Sequence, residues 1–546
     1  VKNPINCTDF YKTSHHKMYP EGTTQIYSNF TPRSARLFNG SKYYDDKVVV
    51  FGIQLFIKDF LIDEFQKNFF NKKLTKVLMK YKRRMDTSLG EGAVSTDHIK
   101  ALHELGYLPI HIKALPEGTR CPIKVPVLTI TNTHPDFFWL TNYLETVLST
   151  ELWKPMTTAT IAFEYLRTFH KYADLTGASK EFIPFQGHDF SARGLSNRED
   201  GYKASIGHLT SFVGTDTIRA IDGAEDFYNA DSSKELVGCS VPATEHSVMA
   251  LSTKDAEIAT FKRLITELYP SGIISIVSDT WDFWKVLTDY LPALKQDILD
   301  RKPDALGNAK VVIRPDSGDP VDIICGTAIV ADLLTENQAL YTGYRHTGEH
   351  MIEVPYLNSK TGQYYLSDVN NRARKHTPTP KDLGAIQLLW NTFGGTVNDK
   401  GYKTLNPRIG LIYGDSITLA RQEEILSRLE QQGFASDNVV FGIGSYSYQY
   451  NTRDTFGFAM KATYGIVDGE PREIFKDPIT DSGTKKSAKG LLCVHDDAGQ
   501  LTLEDQVSPE LEQSAVNALQ TMFYNGGLTF YETSLEDIRA RLRNQL

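Results

Sequence analysis

Short β-branched runs that each end in a polar cluster constrain this chain more than any other feature of its sequence. They read FIPFQGHDF (182 to 190), SFVGTD (211 to 216), VGCSVPATEH (237 to 246), IISIVSD (273 to 279), VVIRPDSG (311 to 318), GLIYGD (410 to 415) and VVFGIGS (439 to 445). Longer amphipathic or loop stretches separate them, so the chain from about residue 182 reads as alternating β and α units. About seven such units predict an irregular parallel α/β barrel, an eighth strand being easily hidden from pattern reading. In parallel folds the strand carboxyl ends are where side chains leave the core, so the polar clusters stand where chemistry is expected.

One spacing breaks the rhythm. Roughly a hundred residues separate Arg314 from Gly414, against about 25 to 40 between other neighbours, which predicts an insertion at about 335–384. Within it HMIEVPYLNSKTGQYYLSDV reads as two strands joined by a turn at Gly362, followed by a basic, proline-rich loop, RARKHTPTP. Residues 1–150 differ in character, with helical periodicity in FGIQLFIKDFLIDEFQKNFF and a strand-rich KVPVLTITNT. The tail, 456–546, carries a hairpin signal in LLCVHDDAGQLTL and a charged helix, TSLEDIRARLRNQL. The expected organisation is a catalytic barrel over 151–455 and a second, mainly β domain built from the N- and C-terminal segments.

With 546 residues the chain exceeds what one hydrophobic core usually organises. A formal net charge of -8 argues against nucleic acid or an anionic membrane as partner, and no apolar stretch reaches the roughly 20 residues that span a bilayer. The five cysteines are scattered, without CxxC spacing, which disfavours both a disulfide framework and structural zinc. Together with an opening segment that lacks an apolar signal core, this predicts a cytoplasmic protein.

Several clusters have the chemistry of an anion site. VVIRPDSGDP delivers Arg314, Asp316, Ser317 and Gly318 into one turn, joining guanidinium, carboxylate and free amides as a sugar phosphate requires; a structural ion pair would use the same residues. Gly414 with Asp415 could grip ribose hydroxyls and Gly444 with Ser445 could cradle phosphate, although glycines at tight βα turns need no ligand. Phe190 and Arg193 offer a stacking face and a phosphate donor. Asp216 can accept from a ligand amide and would repel a ligand carboxylate; it can equally cap a helix. His246, after Glu245, suits a packed core residue, a general base or a phosphoryl acceptor, and spacing does not choose among them; metal ligation is poorly supported. Arg33, Arg453, Lys461, Lys476 and Lys485 recur beside glycine turns or aromatic residues, as a polyphosphate pocket would need.

Taken in order, DFYKTSH, GHDFSARG, GTDT, SVPATEHS, VSD, IRPDSG, GD and NTRD resemble the nicotinamide phosphoribosyltransferase family, as do KALPEGT, FFWLTNYLETVL and IQLLWNTFG. The resemblance implies a homodimer with active sites shared across its interface, acting on nicotinamide, 5-phosphoribosyl 1-diphosphate and ATP with Mg2+. It implies nicotinamide between Phe190 and Tyr11 of the second subunit, with Asp216 reading the carboxamide and Ser240 lining the site. Arg314 would border ring and phosphates, Asp316, Gly414 and Asp415 would hold ribose, Ser317 and Gly318 would bind substrate, Arg193 would face phosphate, and Gly444 with Ser445, plus Arg453 and Lys461 of the second subunit, would receive the ribose 5-phosphate. Arg33, Lys476 and Lys485 would serve pyrophosphate or ATP, and His246, supported by Glu245 and Asp279, would be phosphorylated by ATP. No metal ligands are assigned. The chain departs from the family pattern at Ser445-Tyr446, where consecutive glycines are usual, and at Ala459, where a serine often binds phosphate. The competing expectations are a nicotinate phosphoribosyltransferase and a non-catalytic dimeric binding protein on the same fold.

Overall fold

The structure, a computed structural model, describes residues 3–330, 353–368, 373–475, 488–528 and 532–546. Its centre is a six-stranded parallel sheet formed by β1 (Gly187–Asp189), β2 (Gly214–Thr215), β3 (Ile274–Val277), β4 (Val311–Arg314), β5 (Ile409–Tyr413) and β6 (Val439–Ile443). The spatial order is β2-β1-β6-β5-β4-β3, with Asp189 opposite Thr215, Ile443 opposite Asp189, Tyr413 opposite Phe441 and Val277 opposite Arg314. Residues 239 to 244 close the ring. Gly214 bridges Cys239 on one side and Ala243 bridges Ser275 on the other, both in parallel sense.

That closing stave, expected as a regular strand, makes only scattered bridges because Pro242 has no N–H to donate; Ser275 N donates to its carbonyl instead. The run from 182 to 190 is also shorter as a strand than its pattern implies. Pro184 sits in the first turn of a short helix, Ile183–Gln186, and pairing begins only at Gly187. No eighth stave occurs among the described residues.

A separate seven-stranded antiparallel sheet runs in the order Glu470–Glu473, Ala459–Val467, Thr23–Thr31, Leu128–Asn132, Ile110–Ala114, Gln520–Tyr524, Gly527–Leu528. Both ends of the chain thus build one sheet. The predicted hairpin forms as Leu491–Asp497 paired with Gln500–Val507, and the terminal helix as Leu535–Arg543, its start closed by a Ser534 and Asp537 capping box. In the insertion, Glu353–Asn358 and Gln363–Asp368 pair antiparallel around the expected turn, and the stretch read as loop contributes a third strand, Ala373–Lys375. A short helix, Pro380–Leu383, ends that insertion, and residues 335–352 and 369–372 within it lie outside the described residues.

Helix α1 (Glu145–Thr176) joins the two bodies and passes through the expected boundary at 150. Val147, Leu148, Leu152 and Met156 pack in the core under the antiparallel sheet, whereas Phe163, Leu166, Phe169 and Tyr172 pack in the barrel core. A helix buried on nearly all sides, as this one is from Lys154 to Leu166, is stabilised by both cores and fixes them to one another. Arg539 of the terminal helix adds a second tie, donating from a buried guanidinium to the carbonyls of Leu209, Phe212, Leu236 and Val237. No helix of the described residues is long and apolar enough to cross a membrane.

Glu117 lies fully buried in the turn after Ile110–Ala114, where Oε1 accepts from Gln54 N at 2.7 Å. Burial raises its carboxyl to about 7, against the opposing hydrogen bond from Gln54. Its folded pKa exceeds the unfolded value, so the associated stability is complete below about pH 4.5 and is lost as pH rises through 7. Glu117→Gln keeps the acceptor and cannot ionise. The variant is expected to gain, relative to the parent, on the order of 3 kcal/mol at pH 8 and little at pH 5; denaturant unfolding at both pH values would show no such difference if the carboxyl titrated normally.

Candidate active site

The carboxyl ends of the barrel strands converge on a cavity of about 1230 Å³ that continues through the ring. Phe190, Arg193, Asp216, Ser240, Glu245, His246, Arg314, Asp316 and Gly414 line it at this end, and Ile273, Asn308, Lys310 and Val439 at the other. These nine expected residues are therefore brought together, whereas Ser317, Gly318, Asp415, Gly444 and Ser445 are not among the residues lining the cavity.

Strand alternation explains the first group. His188 and Phe190 share the cavity face of β1, and Asp189 between them points into the core, where it is fully buried. Phe190 is held by its amide, which donates to Ile443 O, and its ring rests on two glycines. A Cβ on Gly442 would fall 2.5 Å from the Phe190 ring, and one on Gly414 would fall 2.9 Å from Asp316 Oδ1 and 3.8 Å from the same ring. At Gly442 only hydrogen lets the aromatic face lie against the strand end, and a Cβ there would also fall 2.8 Å from Gly414 Cα; at Gly414 the close neighbour is the Asp316 carboxylate, the ring being at ordinary contact distance.

Asp216 Oδ1 accepts from His188 Nε2 at 2.8 Å and from Ser240 Oγ at 2.7 Å. Burial pushes the Asp216 carboxyl up, but these two hydrogen bonds outweigh it and hold the group below the usual carboxylate range. It is an anion at neutral pH. Because both donors go to Oδ1, Oδ2 is left to accept from a ligand. Sequence reasoning overlooked His188, although its place two residues before Phe190 on a strand would have put it on the same face.

A second network centres on Asp279, whose side chain is 6% exposed. Oδ1 meets His246 Nε2 at 3.1 Å, and Oδ2 accepts from Asp316 N at 2.9 Å and Ser317 Oγ at 2.5 Å. One carboxylate thereby joins the histidine to the turn after β4. Glu245 does not make the orienting contact expected of it: its carboxylate accepts from Ser247. Glu245 is the N-cap of helix α2 (His246–Leu251), with extended backbone outside the helix, and its side chain turns to the Ser247 hydroxyl. Arg314 Nη2 donates to Thr244 O at 2.7 Å, tying β4 to the closing stave, while its buried Nε has no partner. Tyr413 Oη donates to Gly318 O, steadying the same turn. Ser445 begins the short helix Ser445–Tyr448 after β6 and abuts the Arg193–Gly194 turn, where a Cβ on Gly194 would lie 2.7 Å from that of Ser445.

Tyr11, Arg33, Arg453 and Lys461 do not line the cavity in their own chain; Tyr11 is 61% exposed, and Arg33 donates to Gly457 O beside the turn that carries Arg453. Lys476 and Lys485 lie outside the described residues.

The fold is similar to that of a nicotinate-nucleotide pyrophosphorylase from Pyrococcus furiosus, with a TM-score of 0.51 at 13% identity, covering 100% of this chain and 97% of that one. Residues 185–526 match the model of the nicotinate phosphoribosyltransferase family, and residues 3–89 match the nicotinamide phosphoribosyltransferase N-terminal domain. The parallel barrel with cations, carboxylates and an aromatic seat at its strand ends, joined to a sheet from both chain termini, thus accompanies a match to phosphoribosyltransferase family models. A protein of Acinetobacter baylyi named nicotinamide phosphoribosyltransferase is 56% identical over 544 residues, covering 100% of this chain and 98% of its own; one of that name from Mycoplasma pneumoniae is 32% identical, covering 90% and 95%. The chain belongs to the nicotinamide phosphoribosyltransferase family.

The glycine seat is open to a direct test. Gly442→Ala is expected to displace the Phe190 ring and cost about 1–3 kcal/mol in denaturant unfolding. Gly410→Ala, whose Cβ would meet the flexible Lys310 side chain at 3.0 Å and Val312 at an ordinary 3.8 Å, is expected to be near neutral. Equal losses at both sites would mean that the ring does not depend on Gly442.

Proposed function

We propose that the protein transfers the phosphoribosyl group of 5-phosphoribosyl 1-diphosphate to nicotinamide, giving nicotinamide mononucleotide and pyrophosphate for NAD salvage. The observation that carries this reading is the Asp216 carboxylate, ionised and doubly anchored through Oδ1, in the cavity that Phe190 lines. A carboxamide N–H satisfies Oδ2, whereas a carboxylate ligand would meet a like charge in a partly buried site.

In the transfer, the bond from the anomeric carbon to the leaving diphosphate oxygen breaks and its electron pair leaves with pyrophosphate. The pyridine nitrogen lone pair forms the new bond. No proton has to be removed from the nucleophile, so the protein's work is placement and charge stabilisation. Phe190 and Asp216 hold the ring, Asp316, Gly414 and Asp415 serve the ribose, and Arg193 with Gly444 and Ser445 serves the 5-phosphate. Arg314 Nε, buried and unpartnered, is a donor available to the diphosphate. Magnesium would arrive as part of the diphosphate substrate.

His246 is the proposed acceptor of a phosphoryl group from ATP. The Asp279 carboxylate can only accept, so Nε2 carries the proton and the lone pair is on Nδ1. The bond from the γ-phosphorus to the ADP oxygen breaks as the P–N bond forms, and water later returns phosphate. Asp279 also holds Asp316 N and Ser317 Oγ, so charge on His246 would be felt at the ribose turn. The exposure of Tyr11, Arg453 and Lys461 away from their own cavity supports a homodimer in which each subunit completes the other's site.

The test is mononucleotide formation by the purified protein with donor and magnesium, with nicotinamide or nicotinate, and with or without ATP. Nicotinamide is expected to be preferred; preference for nicotinate, or no release of pyrophosphate, would overturn the reading. Asp216→Asn is expected to reduce the preference for amide over acid by about tenfold or more. His246→Ala is expected to abolish stimulation by ATP, and full stimulation in that variant would remove the histidine from the mechanism.

A further inference from the structure

Beneath the cavity lies a buried histidine that the proposed chemistry does not use. His208 sits near the end of helix α3 (Arg198–Leu209), has no exposed surface, and stacks on Phe212 with ring centroids 5.2 Å apart. Both ring nitrogens are engaged. Nε2 lies 2.9 Å from Gly214 O, and Nδ1 lies 2.7 Å from Tyr448 Oη. A carbonyl can only accept, so Nε2 carries a proton; in the neutral ring Nδ1 then accepts from the Tyr448 hydroxyl. Burial lowers the imidazole's pKa against the opposing pull of Asp189, which keeps the ring neutral and in this one tautomer.

The two partners belong to different halves of the site. Gly214 is in β2, two residues before Asp216, and Tyr448 is fully buried in the short helix that Ser445 begins. Neighbouring bonds brace the same joint. Ser205, also on α3, donates to Thr217 Oγ1; Thr215 donates to the buried Asp189; Ser447 Oγ binds Tyr165 Oη at 2.7 Å and donates to Ile417 O.

We propose that His208 is a positioning residue that sets the separation between the turn carrying Asp216 and the turn carrying Gly444 and Ser445. In the reading above, on which this inference rests, those turns hold the pyridine and the ribose 5-phosphate. The distance from attacking nitrogen to anomeric carbon is then fixed by a hydrogen-bonded strut that touches neither ligand. A strut of this kind acts on the rate of transfer and not on the affinity of either half-site, since an error near 1 Å in the approach of reacting atoms costs on the order of a hundredfold.

Tyr448→Phe removes one hydroxyl and keeps the ring volume; His208→Leu removes both bonds; His208→Gln retains a donor and an acceptor. The measurements are kcat, separate binding of nicotinamide and of the donor by calorimetry, and thermal unfolding. Tyr448→Phe and His208→Leu are expected to lower kcat about tenfold or more while each ligand alone binds within about threefold of the parent, and His208→Gln is expected to recover most of kcat. Should both deletions lower only the unfolding temperature, with kcat within threefold of the parent, His208 is merely structural and the proposal fails. A loss confined to the affinity for one ligand would likewise overturn it, since His208 would then support one half-site alone. If the parent itself forms no mononucleotide, the failure lies in the proposed function, and that result is read before any variant is made.

Discussion

Closure of the parallel sheet by residues 239 to 244 is the constraint on which the rest of the structure depends. Without that stave, β2 and β3 would be the open edges of a curled sheet, and Asp216 and Asp279 would stand on opposite margins. The closure is loose because Pro242 interrupts the ladder, and what it lacks in regular pairing is supplied by side chains. Arg314 donates to Thr244 O and Ser240 donates to Asp216, so groups at the site also fasten the ring. A regular strand would hold the ring more tightly but would leave fewer carbonyls and hydroxyls for this use.

A second level of order comes from α1, whose two halves lie in different cores. The barrel supplies strand ends, and the segments flanking the antiparallel sheet, with Lys461 in the sheet itself, supply exposed basic and aromatic side chains such as Phe10, Tyr11, Arg33 and Arg453. A rigid helix through both cores holds those two sets at a fixed relation, as the proposed sharing of a site between subunits would require. The buried Arg539 contacts serve the same end from the opposite terminus of the chain.

The site divides its electrostatics between two carboxylates with different surroundings. Asp216 is half-exposed and keeps one oxygen for a ligand; Asp279 is buried and spends both oxygens on the protein. The carboxylate proposed to meet the substrate and the one that organises the loop are thus separate residues, so a change at one need not disturb the geometry at the other.

Much of this was legible in the sequence. The barrel was announced by β-branched runs ending in polar clusters, because a strand buried on both faces must be continuously apolar until it leaves the core. The hairpins around Gly362 and Gly499 followed from turn chemistry, and the cluster of Arg314, Asp316 and Asp216 from its place at strand ends. Other features were not written locally. That Glu245 serves Ser247 while the distant Asp279 serves His246, that His188 and Ser240 fasten Asp216, and that the closing stave barely pairs are outcomes of which strands become neighbours. Hydrophobic period and turn residues act between positions a few residues apart, so the sequence by itself determined the elements and the chemistry at their ends. Hydrogen bonds between side chains 24 to 38 residues apart, as from Ser240 to Asp216 or from Ser317 to Asp279, exist only after the ring closes, so their partners were decided by the tertiary structure alone.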